Sequence, residues 1–394
     1  MTGLKSLNTI VDNINCTHHK TCRKGTHTRR VLTLMPHKQD QAVSEFEKFL
    51  MRGNQAVGEG AIRAGCRYFF GYPITPQNEL FEYMAKRLPE VGGTFLQSES
   101  ELSGINMVFG AAAGGGRCMT SSSGPGFTLM GEGLTALATA QLPAVIVCVS
   151  RAGPGLGRIA SSQADYRLAT RGGGHGDYQC LVFGPGSAQE LYELTFKAFD
   201  LADDYRNPVI ILSDAILGQM MEAVTLDRLP GKKAPEKDWA VKGKGDNPRK
   251  VIKVAPHTDD ELISWNRHLK AKYQDMKAKE QRFESLYTDG ASTVVVAFGS
   301  TSRIALDALV RAREEGKPVG LFRPISLWPF PEIALKALLE QGVKNLIVVE
   351  ANNGQMLEDV RLSAASDTTV VHYGVGGGHI FSPDEIYREI LRFV

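Results

Sequence analysis

Short apolar segments alternate with helix-length segments along most of this chain, and this alternation constrains the fold more than any other feature. A predicted helix at 54–64 is followed by the apolar strands RYFFGY, GTFLQ, RCMTSSS, PAVIVCVS and NPVIILSD, with helix-length segments between them. Such spacing is typical of a parallel, doubly wound sheet. A second series of the same kind begins at STVVVAFGS (292–300). The sequence therefore predicts an α/β protein with two doubly wound parallel-sheet domains.

Changes in composition place the boundaries of these domains. Residues 1–48 are predicted to be a basic, poorly ordered tail, because seven Lys/Arg but two Asp precede position 41 and no helical or strand period is present. The first α/β domain is assigned to 49–217 and the second to 291–394. Between them, 218–290 is rich in Lys, Gly and Pro, which predicts a linker that carries one charged helix.

Charge and cysteine pattern exclude several classes of protein. The net charge of +2 gives no reason to expect nucleic acid or a membrane as partner, and no apolar run approaches the ~18–20 residues that span a bilayer. The six cysteines include no C-x-x-C, so we expect no iron–sulfur cluster on this chain. The run CTHHKTC (16–22) lacks a second supporting pair, and we predict no metal site. Cysteines in apolar strands favour a cytoplasmic location.

The sequence GYPITP (71–76) places two prolines where a strand turns into a helix. Pro73 lacks an N–H, so the strand must end there. Pro76 suits the first residue of the next helix, with Thr75 as its N-cap. Ligands of open α/β sheets collect beyond the carboxyl ends of strands, so Thr75 is also a candidate for binding a carboxylate or phosphate.

The segment QSESELSG begins a glycine-rich apolar helix that should be buried. Ser98 and Glu101 fit a capping box, which would explain Glu101 without any function. A carboxylate at the mouth of a buried helix is nevertheless a functional candidate. Both interpretations stay open on local grounds.

Three further segments carry residues that suit a site. Gly124, Pro125 and Gly126 in TSSSGPGF permit a close approach of the backbone to a ligand, although a plain turn would have the same residues. Arg151 in SRAGPGLG could pair with a carboxylate or lie on a surface loop. His175 in GGGHGDY could be a polar anchor or a merely hydrogen-bonded loop residue. Four of the five segments follow strands, and strand ends of one parallel sheet share an edge.

Taken in order, the motifs GNQA, GYPITP, QSESE, TSSSGPG, SRAGPGLG, QADY, GGGHGDY and DAILGQMME resemble the α subunit of 2-oxoacid:ferredoxin oxidoreductases. The resemblance covers about residues 50–394. Such enzymes use thiamine diphosphate to decarboxylate a 2-oxo acid oxidatively to an acyl-CoA and pass electrons to ferredoxin. The resemblance implies a pyrimidine-binding domain of the thiamine-enzyme type, followed by a domain like the C-terminal domain of transketolase.

The resemblance also implies roles for individual residues. In the family a carboxylate hydrogen-bonds N1′ of the aminopyrimidine, and Glu101 has the expected spacing to Gly110 and Ala112. Glu99 misses that spacing by two residues and is the reserve. The substrate carboxylate would contact Thr75 and Arg151. The residues expected to line the cofactor site, besides Glu101, are Tyr72, Pro73, Ser123, Gly124, Pro125 and Gly126.

One expected motif is missing. Thiamine enzymes hold Mg²⁺ and the diphosphate through a Gly-Asp-Gly motif, which this chain lacks. The resemblance therefore implies half of a thiamine site, completed by a β subunit that holds the diphosphate and Mg²⁺. Relatives add a γ subunit and a ferredoxin-like subunit with iron–sulfur clusters. EANNGQ (350–355) and VGGGH (375–379) also match the family but receive no chemical role.

The acyl substrate is a choice between two acids. GPGLG…SSQADY resembles chains for branched-chain 2-oxo acids, whereas chains for 2-oxoglutarate more often have GPSTG…PT. A γ-carboxylate would need a further cation, which Arg158, Arg167 or Arg171 could supply. The pattern favours 2-oxoisovalerate, with 2-oxoglutarate a close second.

Two other functions compete with that of an enzyme subunit. An NAD-dependent dehydrogenase is disfavoured because no G-x-G-x-x-G follows a strand with a later acidic residue. A non-catalytic scaffold subunit with an inherited thiamine-enzyme fold is the alternative. The presence of Thr75, Glu101 and Arg151 argues against a scaffold.

Overall fold

The computed structural model describes residues 47–394 apart from 227–228, 230–232, 246–247 and 255. The predicted tail, with its Cys/His run, lies outside the described residues except at its last two positions. Within the part that is described, no helix is both long and apolar enough to cross a bilayer.

Helices and strands alternate in two series along the described chain. The elements of the first series are β1 (Lys48–Arg52), α1 (Gly53–Arg63), β2 (Tyr68–Gly71), α2 (Asn78–Glu90), β3 (Thr94–Gln97), α3 (Glu101–Ala113), β4 (Cys118–Ser122), α4 (Gly124–Leu129), α5 (Gly131–Thr139), β5 (Ala144–Ala152), β6 (Arg158–Ser161), α6 (Tyr166–Arg171), β7 (Leu181–Phe183), α7 (Ala188–Tyr205), β8 (Pro208–Asp214), α8 (Ala215–Gln219) and β9 (Met221–Thr225). The remaining elements are α9 (Asp259–Lys279), β10 (Phe283–Leu286), β11 (Thr293–Val296), α10 (Gly299–Glu314), β12 (Val319–Pro324), β13 (Ser326–Trp328), α11 (Glu332–Glu340), β14 (Asn345–Glu350), α12 (Gln355–Ser363), β15 (Thr369–Gly374) and α13 (Pro383–Ile390).

The large sheet has the strand order β13-β7-β8-β5-β4-β2-β3, with β6 added beside the end of β5. All pairs from β7 to β3 are parallel, so the prediction of a parallel sheet is confirmed. Successive side chains of β5 enter opposite layers, with Val145 and Val147 in one apolar cluster and Ile146 and Cys148 in the other. Burial on both faces explains why this strand is a continuous apolar run in the sequence.

The second sheet has the order β10-β12-β11-β14-β15, and its pairs are parallel except at the β10 edge. Strand β13, which follows β12 in the chain, pairs antiparallel with β7 of the large sheet instead. Val296 and Phe322 of the second sheet share an apolar cluster with Ile146 of the first. The two series are therefore joined by a strand and by a continuous core, and the domain boundaries drawn from composition stay a prediction.

The helix after GYPITP begins later than predicted. Helix α2 starts at Asn78 with Gln77 in the N-cap position, so the expected roles of Thr75 as N-cap and Pro76 as first helical residue are wrong. Thr75 and Pro76 are joined by a cis peptide within a turn in which the Gln77 N–H donates to the Ile74 carbonyl at 3.1 Å. This turn occupies the two positions that the prediction gave to the helix.

The start of α3 also differs from the predicted capping box. The N-cap is Ser100, whose hydroxyl accepts from the N–H of Ser103, while the hydroxyl of Ser98 donates to the Ser100 carbonyl. The pairing of Ser98 with Glu101 is therefore wrong. Because Ser100 caps the helix, the Glu101 side chain is not used for capping and contacts Ser122 instead.

Candidate active site

The carboxyl ends of neighbouring strands bring the predicted site segments to one edge of the large sheet. The segments after β2, β4 and β5 are adjacent because these strands are paired in the order β5-β4-β2. Nη1 of Arg151 donates to the carbonyl of Thr75 at 3.0 Å, across 76 positions of sequence. A Cβ built on Gly124 would lie 3.5 Å from the Arg151 side chain, so the loop after β4 packs against the same residue.

Glu101 is buried beneath the GPG segment. Its side chain is 5% exposed, and Oε1 accepts from the hydroxyl of Ser122 at 3.0 Å. A Cβ added to Gly126 would fall 2.0 Å from the same oxygen, so only glycine permits this approach. Among the described residues, nothing donates to the second carboxylate oxygen of Glu101. The arrangement presents one anchored and one available oxygen at the sheet edge.

The reserve residue Glu99 has a different environment. Its carboxylate is exposed and accepts from the hydroxyls of Ser103 at 2.8 Å and Ser100 at 3.0 Å. These hydrogen bonds lower the pKa of Glu99, Ser103 contributing most. The geometry favours Glu101 over Glu99 as the carboxylate of a buried site, and the catalytic assignment stays a prediction.

Arg151 is held by two backbone carbonyls and retains an unused donor. Besides the bond to Thr75, its Nη2 donates to the carbonyl of Leu156 at 2.8 Å. Its Nε is buried and has no partner in the described structure. The hydroxyl of Thr75 accepts from Nδ2 of Asn78 at 3.3 Å and keeps its own proton for another acceptor. Both side chains therefore have donors to offer an anionic ligand.

A cavity of about 400 Å³ lies at this edge. Both series of elements contribute to its wall, the second through the loops after β14 and β15. The lining residues are Gly124, Pro125, Thr128, 151–155, Ala164, Asp165, Asn352, Asn353, Gln355, Gly376 and Gly377. Asp165, Asn352 and Asn353 were not predicted to belong to a site, although their segments QADY and EANNGQ match the family motifs.

Four other residues that were predicted for the site, or considered for it, do not line this cavity. The hydroxyl of Ser123 is buried without a hydrogen-bond partner among the described residues, and Tyr72 is 39% exposed with its carbonyl bonded by Gln77. Pro73 follows in the same irregular segment. His175 is exposed and does not line the cavity. Its backbone carbonyl accepts a hydrogen bond from the hydroxyl of Thr135 at 3.0 Å.

A buried carboxylate beside a glycine-rich loop, at the strand ends of a doubly wound sheet, fits the pyrimidine-binding class of domain. The family model described as "Pyruvate flavodoxin/ferredoxin oxidoreductase, thiamine diP-bdg" matches residues 59–286. The model described as "Pyruvate:ferredoxin oxidoreductase core domain II" matches residues 291–386. This chain belongs to the 2-oxoacid:ferredoxin oxidoreductase family and is a subunit of such an enzyme, as the motifs predicted.

Two curated relatives illustrate the range of the family. The ketoisovalerate oxidoreductase subunit VorB of Methanothermobacter thermautotrophicus is 45% identical over 343 residues, which cover 86% of this chain and 97% of that protein. The 2-oxoglutarate synthase subunit KorA of Methanocaldococcus jannaschii is 36% identical over 367 residues, which cover 86% and 98% respectively.

Two solved structures have the same fold. The 2-oxoglutarate:ferredoxin oxidoreductase from Magnetococcus marinus, with 2-oxoglutarate, coenzyme A and succinyl-CoA bound, matches with a TM-score of 0.80 and 27% identity. The match covers 88% of this chain and 65% of that one, so this chain spans just under two thirds of its length. An inactive split-gene transketolase β4 tetramer matches with a TM-score of 0.52, 15% identity and coverage of 86% and 96%, which shows the fold alone.

The residues present fit the pyrimidine end of thiamine diphosphate. Glu101 offers a buried carboxylate oxygen, and Gly126 leaves the space beside it that a side chain would fill. The hydroxyl of Ser123, which has no partner among the described residues, belongs to the residue just before Gly124. In the part of the chain that the structure describes, no cluster of three or more His, Cys, Asp or Glu suits a metal ion.

Proposed function

We propose that this chain is the α subunit of an oxidoreductase that decarboxylates 2-oxoisovalerate oxidatively to an acyl-CoA and passes electrons to ferredoxin. The observation that carries the proposal is the convergence of buried Glu101 and the Arg151–Thr75 pair at one sheet edge. Glu101 is the carboxylate that a thiamine site needs from this domain. The Arg151–Thr75 pair supplies the donors that the carboxylate of a 2-oxo acid needs. The similarity to VorB supports the same conclusion.

Glu101 would hold the pyrimidine and move a proton at its N1′ nitrogen. Its Oε1 is fixed by Ser122, so the other oxygen is the one that can share a proton with the ring. Burial excludes water from this hydrogen bond and strengthens it. Thiamine diphosphate supplies the electron sink for decarboxylation when it is bound.

Arg151 and Thr75 would bind and orient the carboxylate of the 2-oxo acid. The guanidinium is already fixed by the Thr75 and Leu156 carbonyls, so little of its side-chain entropy remains to be lost on binding. A fixed cation and hydroxyl hold the substrate in one orientation, which lowers the barrier of the later steps.

The cavity wall favours a branched apolar acid over one with a second carboxylate. Arg167 pairs with Glu358 and Arg171 pairs with Asp359, and neither they nor Arg158 line the cavity. Among the described lining residues, Arg151 is the one basic side chain. Ala152, Pro154 and Ala164 give one part of the wall an apolar surface that suits an isopropyl group.

The complete enzyme requires partner chains. We assign the diphosphate, Mg²⁺ and the second half of the site to a β subunit, because this sequence has no Gly-Asp-Gly motif. We assign the iron–sulfur clusters to a γ subunit and a ferredoxin-like subunit, which would pass electrons to ferredoxin, with CoA as acyl acceptor. A cytoplasmic location suits the free, buried thiols, such as Cys66, whose pKa burial raises to about 12.

The substrate is tested by assaying the complex that the tagged chain brings down anaerobically from its native host. CoA-dependent dye reduction is measured in parallel with pyruvate, 2-oxoglutarate and 2-oxoisovalerate. We expect kcat/KM for 2-oxoisovalerate to exceed that for 2-oxoglutarate by about tenfold or more, because Arg151 is the one cation among the described residues that line the cavity. A preference for 2-oxoglutarate would overturn the substrate assignment. If none of the three acids supports dye reduction after thiamine diphosphate and Mg²⁺ are added, the result would favour a non-catalytic scaffold subunit.

A further inference from the structure

Gln77 bridges the corner that carries Thr75 and the neighbouring strand β4. Its side chain is fully buried, and its Oε1 accepts from the hydroxyl of Ser121 at 2.6 Å. Its Nε2 donates to the carbonyl of Tyr72 at 3.3 Å, where the chain enters the same corner. Both ends of the amide therefore have partners, as a buried amide requires, and those partners belong to two different segments of the site.

The end of β4 also carries the contact to Glu101, on the residue that follows Ser121. The hydroxyl of Ser122 donates to Oε1 of Glu101 at 3.0 Å, and both serines are fully buried. Successive side chains of a strand point to opposite faces of the sheet. One face of β4 thus holds the corner through Gln77, while the other face holds the carboxylate. The amide therefore fixes the corner relative to Glu101.

Two other side chains hold the corner from different elements. Nδ2 of Asn54, in α1, donates to the carbonyl of Pro76 at 2.9 Å. Nη1 of Arg151, at the end of β5, donates to the carbonyl of Thr75 at 3.0 Å. Of the three side chains, Gln77 is the one that hydrogen-bonds to β4 in the described structure, so it sets the spacing between the two halves of the site.

We propose that Gln77 is a positioning residue for the 2-oxo acid, which holds the Thr75–Arg151 pair at the distance from Glu101 that the reaction needs. The inference rests on the proposed function, since Thr75 must bind the substrate for its position to matter. Gln77 does not line the cavity, so it acts through the corner and not by touching the substrate. A side chain of the same size without the amide would fill the space but leave the corner and β4 unconnected.

The test is Gln77→Met in the assembled enzyme, because methionine has a similar volume and makes neither hydrogen bond. We expect kcat/KM for 2-oxoisovalerate to fall by about tenfold or more, since a displacement of ~1 Å at a site can cost about 10²-fold. Most of the loss should appear as a higher KM. Thiamine diphosphate, titrated calorimetrically with Mg²⁺, should bind with nearly the affinity of the wild type, because the contact between Ser122 and Glu101 is untouched.

A double-mutant cycle separates a positioning role from a loss of stability. Thr75→Val removes the hydroxyl that would bind the substrate, and it should itself raise KM. If Gln77 acts through the corner, the rise of KM in the double variant should fall about threefold or more short of the product of the two single rises. Effects that arise independently would multiply instead.

Asn207→Leu is the matched control. Asn207 is also a fully buried amide, whose Nδ2 donates to the carbonyls of Gln179 at 2.9 Å and Pro208 at 3.1 Å. It lies just before β8, at the opposite edge of the sheet from the site, and does not line the cavity. This variant should lose thermal stability and keep the wild-type KM. Ser121→Ala, which removes one of the two bonds of Gln77, should raise KM by a smaller factor than Gln77→Met.

Three results would overturn the inference. They are a wild-type KM in Gln77→Met, an equal rise of KM in Asn207→Leu, and full multiplication of the effects of Gln77→Met and Thr75→Val. If Gln77→Met does not assemble, Ser121→Ala decides, and a wild-type KM in that variant would contradict the bridge. Failure of the proposed function looks different, because Thr75→Val would then keep the wild-type KM or the wild-type complex would be inactive with 2-oxoisovalerate.

Discussion

Turnover of the assembled enzyme is expected to fall by ~10²- to 10⁴-fold in Glu101→Gln, the range of a lost proton-transfer group. Glutamine has the shape of glutamate, so its carbonyl oxygen can still accept from Ser122, and the contact with Gly126 remains possible. What it cannot do is exchange a proton with a ring nitrogen. The measurement is kcat at saturating substrate, thiamine diphosphate and Mg²⁺, with the melting temperature recorded for the same preparation.

Glu99→Gln is the control for this experiment. Glu99 is two residues away and exposed, with its carboxylate bonded to Ser100 and Ser103. It should keep kcat within about twofold of wild type, since exposed substitutions have small effects. Equal losses in both variants, or wild-type turnover in Glu101→Gln, would contradict the assignment of Glu101 and support a scaffold subunit.

Arg151→Met is expected to lower kcat/KM for 2-oxoisovalerate by ~10²-fold or more. The variant removes the cation that would bind the substrate carboxylate, and hydrogen bonds to charged groups contribute about 1.5–3 kcal/mol each. The substitution also leaves the carbonyls of Thr75 and Leu156 without their hydrogen-bond donor. Part of the loss in kcat/KM should therefore come from a displaced Thr75. The measurement is the dependence of rate on 2-oxoisovalerate concentration, where KM should rise.

Arg167→Met controls for the loss of a positive charge. Arg167 is exposed, pairs with Glu358 and does not line the cavity, so kcat/KM should stay within about twofold of wild type. An Arg151→Met enzyme with the kinetics of Arg167→Met would show that the cavity does not bind the substrate carboxylate through Arg151.

The parallel architecture was predictable because its cause is local. Strands such as β5 and β8 are buried on both faces, which favours apolar residues on both faces. Each strand is therefore visible in the sequence as a nearly continuous apolar run. Strand β13 has no comparable signal, because its three residues join the large sheet through pairing with β7, more than 140 positions earlier. The start of α2 was missed for a similar reason. Gln77 is fully buried and accepts from the hydroxyl of Ser121 at 2.6 Å, a contact that propensity does not reveal.

The candidate site likewise has a part that was predictable from the sequence and a part that was not. Thr75, Glu101 and Arg151 could be singled out because each lies at or just after the end of a strand that the sequence pattern locates, and parallel strands bring their ends together. The contribution of the second sheet could not, since it depends on contacts across nearly 190 positions. Gln163 is the clearest case: its amide accepts from the N–H of Ala351 and donates to the carbonyl of Phe298.

The most direct test of the central claim is the binding of thiamine diphosphate. Calorimetric titration with Mg²⁺ present is carried out on this chain alone, on the β subunit alone and on the assembled complex. A shared site predicts tight binding to the complex and binding at least ~10²-fold weaker to either chain alone, because each holds only one end of the cofactor. Tight binding to this chain alone would show that it holds a complete site. If the β subunit alone bound the cofactor as tightly as the complex does, this chain would contribute nothing to the site.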